Sequence, residues 1–341
     1  MLVLGLATSA CTAGHAYSPA RTPGDGALRL GYSPDLTQAT ALVGLHEGIF
    51  AQALPAGVRL APVPLATGDA VAQAMRSGSL DLAYLDPNSA YLASLGAPTS
   101  RGRRRVPTAT ILSGAASGGV ALVTTPSVAT ARDLRGRTIA VERHDSSTDV
   151  ALRTWLASQD LATAGPDGVG VAVRSGPDTV EAFRTADIDG AWVAEPWATA
   201  LAREGGRVLV DERTLWPGGT FSSAALVVRQ DFSRAHPDLV AAMVKAQVTA
   251  DDLVHANPGK AQADAATEIS SAAGVPVSVD VVRAAWGNLR FGDDPYPATV
   301  REAIDHNRQP GSATGPDVSG LIDVRMLNAV LRKAHRAPVA G

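Results

Sequence analysis

Short apolar runs alternate with amphipathic stretches along nearly the whole chain from Leu28 onward. Leu28, Leu30 and Tyr32 recur with the period of two that marks a half-buried strand. From Thr40 to Phe50 the apolar positions Leu42, Leu45 and Ile49 fall three and four apart, which predicts one helix. Val58, Leu60 and Val63 predict a second strand. Residues 69–77 predict a helix with Val71 and Met75 facing inward, ended by Gly78. Leu80 to Leu85 reads as another strand, and Ile111 and Leu112 belong to one more. This strand–helix rhythm predicts a mainly parallel sheet covered on both faces.

A second unit begins after Gly119. Val120 to Val123 is a strand, Ala131 to Leu134 a short helical turn, and Thr138 to Val141 the next strand. Thr148 to Ala157 is helical, with Leu152 and Leu156 one turn apart. Gly170 to Val173, Gly190 to Val193 and Val208 to Val210 are further strands, and Ala224 to Val228 is one that returns the chain to the first unit. From Asp231 onward helices dominate. Pro237 sits at a first helical position, where its missing N–H costs nothing. Leu239, Met243, Ala246, Ala250 and Leu253 form the stripe of that helix until Asn257-Pro258 stops it, and 321–331 reads as a closing helix.

Composition narrows the function classes. The chain has 341 residues, 45% hydrophobic and 18% charged, with a net charge of -3, so it offers no overall attraction to nucleic acid. The one basic run, Arg101 to Arg105, has no interleaved aromatic residues and reads as a solvated loop. The single cysteine, Cys11, excludes an internal disulfide and a thiol-based metal site. It follows the apolar run Met1 to Ala7 and the small residues Thr8-Ser9-Ala10, a pattern similar to a bacterial lipobox. The expectation is therefore a leader whose cysteine is acylated after export, or else one cleaved near Gly14-His15-Ala16, followed by a Pro/Gly/Ser/Thr-rich tether over 17–26.

Several stretches taken in order carry a resemblance. They are Leu30-Gly31-Tyr32-Ser33-Pro34-Asp35-Leu36-Thr37-Gln38-Ala39, Gly78-Ser79-Leu80-Asp81-Leu82-Ala83-Tyr84, and Asp133-Leu134-Arg135-Gly136-Arg137. The most specific is Asp187 to Trp197 (sequence DIDGAWVAEPW), followed by Leu215 to Gly219 and the strand Ala224 to Arg229. The chain resembles the substrate-binding proteins of nitrate-, sulfonate- and taurine-type ABC importers, nearest to the aliphatic-sulfonate branch, from about Leu28 to Arg332. The resemblance implies an α/β, two-lobed periplasmic-binding-protein-like fold of type II with a ligand cleft between lobes. The implied division is leader and tether at 1–27, the first part of lobe 1 at 28–116, lobe 2 at 117–222, and the return to lobe 1 at 223–341. It further implies a monomer that needs no cofactor or metal, is held to the membrane only by the lipid at Cys11, and hands a small molecule to a permease and its ATPase. A sulfonate, taurine or nitrate-like anion is the ligand class that follows, with a small heterocyclic nutrient as the remaining alternative.

In open α/β sheets, ligands sit at the carboxyl ends of strands, where helix N-termini offer free N–H groups and partial positive charge. Candidate ligand contacts are therefore Asp35, Thr37, Gln38 and Thr40 after the first strand, and Asp86 and Asn88 after a later one. Ser146, Ser147 and Thr148 open the second-lobe helix. Ser117 and Gly118 lie at the crossing between lobes, where a hinge role competes with contact. Glu195 and Trp197 follow a strand end, and Trp197 is either a wall of the cleft or core. Ser, Thr and Asp at such places are also ordinary N-caps. Asp35, Gln38 and Asp86 differ from the Asn, His and Gly usual in the sulfonate branch. If the two aspartates face the cleft they repel an anion; otherwise they cap their helices, or they select a ligand with an amine.

An enzyme on the same fold is the rival reading. Relatives with a catalytic cysteine have no counterpart here, because Cys11 lies in the leader. Among seven histidines only His144 falls near the expected cleft, and there is no Gly-x-Ser-x-Gly, phosphate-loop or His-Glu-x-x-His pattern. A sensory domain would require a helix-turn-helix, membrane or signalling segment beside these lobes.

Overall fold

The computed structural model describes residues 26–95, 108–307 and 317–341; Cys11 and the run Arg101 to Arg105 lie outside the described residues. Its strands are β1 (Ala27–Tyr32), β2 (Arg59–Pro64), β3 (Leu82–Leu85), β4 (Ala109–Gly118), β5 (Val120–Thr124), β6 (Thr138–Val141), β7 (Gly170–Val173), β8 (Gly190–Ala194), β9 (Arg207–Asp211), β10 (Ser222–Arg229) and β11 (Leu289–Phe291). They form two sheets, a six-stranded one in the order β11-β4-β10-β3-β1-β2 and a five-stranded one in the order β7-β6-β8-β5-β9. The chain leaves the first sheet at Gly118, enters the second at Val120, and returns through residues 212–221. Two crossings thus join two α/β lobes.

The expectation of mainly parallel sheets needs correcting. β1 pairs in parallel with β2 and β3, and β6 with β7 and β8. β10 and β11 are antiparallel to their neighbours in the first sheet, and β5 in the second. The strands next to the crossings arrive from the other lobe rather than through a helical crossover, and only that crossover imposes parallel pairing. The helix expected from Thr40 to Phe50 is also two pieces, Ala39–His46 and Ile49–Ala53, broken at Gly48 with φ 68°.

Both faces of the first sheet are covered, as its continuous apolar strands require. Leu82, Tyr84, Leu226 and Val228 face one cluster with Leu28 and Leu30, under the long helix Pro237–Ala256. Ala83, Leu85, Ala225 and Val227 face the other, with Val71 and Met75 of the helix Gly68–Ser77. In the second lobe Leu122, Ile139, Leu152, Leu156 and Trp192 form one core. A further cluster spans both lobes. It joins Tyr32, Leu36 and Leu42 to Val123, Phe183 and Leu201 through Ile269 and Val282 of the helices Pro258–Ala273 and Val279–Trp286. The C-terminal helices therefore staple the lobes as well as closing the first one.

One polar chain runs through the first core. The Tyr84 hydroxyl donates to Gln247 Oε1, and Gln247 Nε2 donates to the Gly114 carbonyl at 3.2 Å, all fully buried. Tyr84→Phe leaves the glutamine oxygen without its donor, so a loss of about 1–3 kcal/mol is expected in urea unfolding. A loss below about 0.5 kcal/mol would mean the chain relaxes or hydrates there.

Candidate functional site

Three loops at carboxyl ends of parallel strands meet between the lobes: 33–38 after β1, 86–89 after β3 and 142–148 after β6. Each carries a cap that fixes its backbone. Asp35 Oδ1 accepts from Thr37 N at 2.8 Å and from the Thr37 hydroxyl. Ser146 Oγ accepts from Asp149 N at 3.4 Å at the start of the helix Ser147–Ser158. Asp86 Oδ1 accepts from Asn88 N at 3.0 Å and Ser89 N at 3.1 Å, capping the helix Pro87–Ser94. The same oxygen also accepts from Ser147 N at 3.3 Å and from the Ser147 hydroxyl. Asp86 is thus a helix cap and an interlobe clamp at once.

Between these loops lies a cavity of about 60 Å³. Of the residues expected from the sequence, Asp35, Thr37, Gln38, Asp86, Asn88, Ser147 and Thr148 line it. A side cavity of about 30 Å³ shares Ser33, Asp35, Glu142 and Thr148 with it, and Trp197 lines that one. The other candidates lie outside both linings. Thr40 is wholly buried in the first turn of its helix. Ser117 holds the returning crossing, its hydroxyl accepting from Phe221 N at 3.2 Å. Gly118 has φ 77°, and a Cβ there would stand 2.8 Å from the Asn288 carbonyl. Ser146 caps its helix and donates to the Arg143 carbonyl at 2.7 Å. Glu195 is held by Thr199 N at 2.9 Å and by Asn288 Nδ2 at 2.7 Å, and burial raises its carboxyl above the usual range.

The structure adds residues that pattern reading missed. Glu142 and Glu212 line the cavity, as do Ser33, Ser222 and Ser223, and Trp216 and Phe221 wall one side, stacked with ring centroids 5.5 Å apart at 16°. His306, at the end of the helix Pro297–His306, is the histidine at the cavity; His144 is exposed and outside its lining. Glu142 directly follows the apolar run of β6, so the strand-end argument used for Asp35 and Asp86 would have found it. Nothing local marks His306 or Ser222.

The electrostatics are one-sided. Among the described residues no Lys or Arg belongs to the main cavity lining. Arg174, in the side cavity, is turned to its neighbour's carbonyl at 2.8 Å, and Arg143 to Asp69 at 3.5 Å. Burial, then the nearby Asp86 charge, pushes the Glu142 carboxyl up to about 8. Burial likewise pushes Asp35 up to about 6, against the opposing hydrogen bonds from Thr37. Glu212 is pushed up to about 7 by burial, although Trp192 Nε1 donates to it at 2.7 Å and Trp216 Nε1 at 3.3 Å.

The lobes touch across this site. Leu36 N donates to the Glu195 carbonyl at 2.7 Å, Gly68 N donates to Glu142 Oε1, and Asn88 Nδ2 donates to Ser147 Oγ at 3.2 Å. Among the described residues one cluster has metal-ligand types in reach, His46, Glu47 and Asp264. The Lys260 ammonium stands there already, bonded to Glu47 and, at 3.0 Å, to Asp264. No helix among the described residues is long and apolar enough to cross a membrane.

Two α/β lobes closed over a cavity at strand carboxyl ends define a solute-binding fold, the two-lobed periplasmic-binding-protein type II. Over residues 21–270 the sequence matches the NMT1-like family, and the chain belongs to that family. It is 26% identical over 260 residues to the taurine-binding periplasmic protein of Escherichia coli, covering 75% of this chain and 73% of that one. Solved structures share the fold. The alkanesulfonate-binding protein SsuA from Xanthomonas axonopodis pv. citri, bound to MOPS, superposes with a TM-score of 0.66 at 19% identity over 83% of this chain and 91% of its own. The periplasmic nitrate-binding protein NrtA from Synechocystis PCC 6803 gives 0.75 at 15% identity over 92% and 90%.

Proposed function

We propose that this protein is the extracytoplasmic solute-binding component of an ABC importer. It captures a small molecule between its lobes, releases it unaltered to a permease with its ATPase, and is a monomer tethered through a lipid on Cys11. The observation that carries the reading is the cavity itself, lined from both lobes by cap residues of opposed helices, so that a ligand there touches both lobes only when they are closed. The relatives that bind taurine, alkanesulfonates and nitrate support the same role. An enzymatic role finds less support. The Asp35, Asp86 and Glu142 carboxylates are anchored by backbone N–H groups and that of Glu212 by two indole N–H groups, so each is engaged in holding the fold.

The experiment is calorimetry on the purified chain against small solutes, with the solute recovered and weighed by mass spectrometry afterwards. One-to-one binding with the solute intact is the expected result; conversion of a bound solute would replace this reading with the enzymatic one. Thr148→Ala should weaken the binding about three- to tenfold with little loss of melting temperature. Thr148 lines both cavities, and its hydroxyl lies 3.4 Å from Glu142 N. Unchanged affinity would remove the 146–148 turn from the site.

A further inference from the structure

Three carboxylates in the cavity share one arrangement. Each is anchored mainly through one oxygen. Asp86 gathers its four hydrogen bonds on Oδ1, and Oδ2 takes none of them. Glu142 accepts the Gly68 N–H on Oε1. Asp35 accepts both Thr37 bonds on Oδ1, and Oδ2 has only a 3.5 Å contact from Gln38 Nε2. Asp86 and Asp35 raise the Glu142 carboxyl, and Asp86 raises that of Asp35, so their charges act on one another.

A second observation is independent of charge. Asn88 is 1% exposed, and its Oδ1 has no hydrogen-bond partner. Its orientation is settled by chemistry, because the other end of the amide faces the Ala303 carbonyl at 3.3 Å, which only accepts. The orphan atom is therefore a pure acceptor on the cavity wall, and a buried acceptor without a donor is costly. The hydroxyls of Ser33, Ser222 and Ser223, also buried and unpartnered, line the same space.

We propose that the solute carried in this cleft is a cation: a small molecule with a protonated amine or amidine. Its N–H groups are received by the outer oxygens of Asp35, Asp86 and Glu142 and by Asn88 Oδ1, and its flat apolar part lies against Trp216 and Phe221. The proposal rests on the reading of the cleft as a solute site. A positive charge relieves the repulsion among the three carboxylates and supplies the donor that Asn88 lacks, whereas an anion would meet three carboxylates with no lysine or arginine among the described residues of the main cavity lining.

The test is calorimetry and thermal shift on the full chain with a charge-graded set of one shape: benzamidine, benzamide and benzenesulfonate, together with taurine and simple alkylamines. Binding of benzamidine or an alkylamine at least tenfold tighter than of benzamide, with Asp86→Asn and Glu142→Gln each losing that preference, is the expected result. Both substitutions keep the capping or anchoring oxygen, so folding is retained, and a cooperative melting transition of each without ligand verifies it. Benzenesulfonate binding as tightly as benzamidine, or equal loss of all members in the variants, would overturn the cation while leaving solute capture intact. If no member of the set binds, the cation and the solute site fall together.

Discussion

At pH 8 the Glu142→Gln protein should melt higher than the native chain, and native stability should fall as the pH rises from about 5 to about 8. The sign follows from proton counting. Burial and the neighbouring acids hold the Glu142 carboxyl at about 8 in the folded chain, against an ordinary value of 4.5. Between those values the folded state holds a proton that the unfolded state has released, so raising the pH favours unfolding. Below the ordinary value both states are protonated and the penalty vanishes. The groups facing Glu142 are Asp86 and Asp35, which raise it, and Arg143 and the Gly68 N–H, which lower it. Because the side chain is only half-buried, the expected penalty at pH 8 is about 2–3 kcal/mol rather than the full value of the shift. Glu212 and Asp251, each raised to about 7, slope the native curve the same way. The informative quantity is therefore the difference between the native and Glu142→Gln chains across the pH series. Parallel curves would show that Glu142 is ordinary in solution. The same proton has a functional consequence: a cationic solute that ionises Glu142 must expel it, so such binding strengthens from pH 6 toward about 8.

Gly114→Val should be the most damaging single change in the first lobe, at about 3–5 kcal/mol. Gly114 lies in β4, where the chain segment at Asp294 passes over it. A Cβ at this position would stand 2.1 Å from the Asp294 carbonyl oxygen and 2.5 Å from its carbon, and both are backbone atoms that cannot swing aside. The contact is fixed from both directions, since Gly114 N donates to the Asp293 carbonyl at 2.8 Å while Gln247 holds the Gly114 carbonyl at 3.2 Å. The segment so placed leads into the helix Pro297–His306, which brings Ala303 and His306 to the cavity and Thr299 to Ser222 N at 3.1 Å. Damage at Gly114 should therefore loosen the ligand wall as well as the core. Gly259→Ala is the matched control, because nothing lies within 4 Å of its added carbon. A midpoint for Gly114→Val within about 0.5 kcal/mol of the native value in denaturant would mean the segment at Asp294 moves aside.

Local pattern accounts for much of the architecture. Leu28 and Leu30, the run Leu82 to Leu85, and Val71 and Met75 each lie where their periodicity puts them, because a strand or helix must bury its apolar side whatever the rest of the chain does. The loops after β1 and β3 were legible for a related reason. Asp35 and Asp86 are placed by bonds to N–H groups two and three residues away, and such short-range chemistry is written in adjacent letters. The strand directions were not, since alternation of side chains is the same in parallel and antiparallel ladders.

What this sequence determined by itself is the succession of strands and capped helices, and with it two lobes whose strand ends carry hydroxyls and carboxylates. Only the tertiary structure decided which of those groups share a space. It set Asp86 against Ser147, 61 positions apart, and brought Glu142 to Gly68, 74 positions away. It delivered Glu212, Trp216, Phe221, Ser222, Ser223, Ala303 and His306 from the second half of the chain to a cavity whose other walls come mostly from the first, and left Thr40, Ser117 and Ser146 outside its lining. The physical reason is range: propensity and capping act within a turn or two, whereas a binding site is made by side chains whose meeting depends on how every intervening element packs.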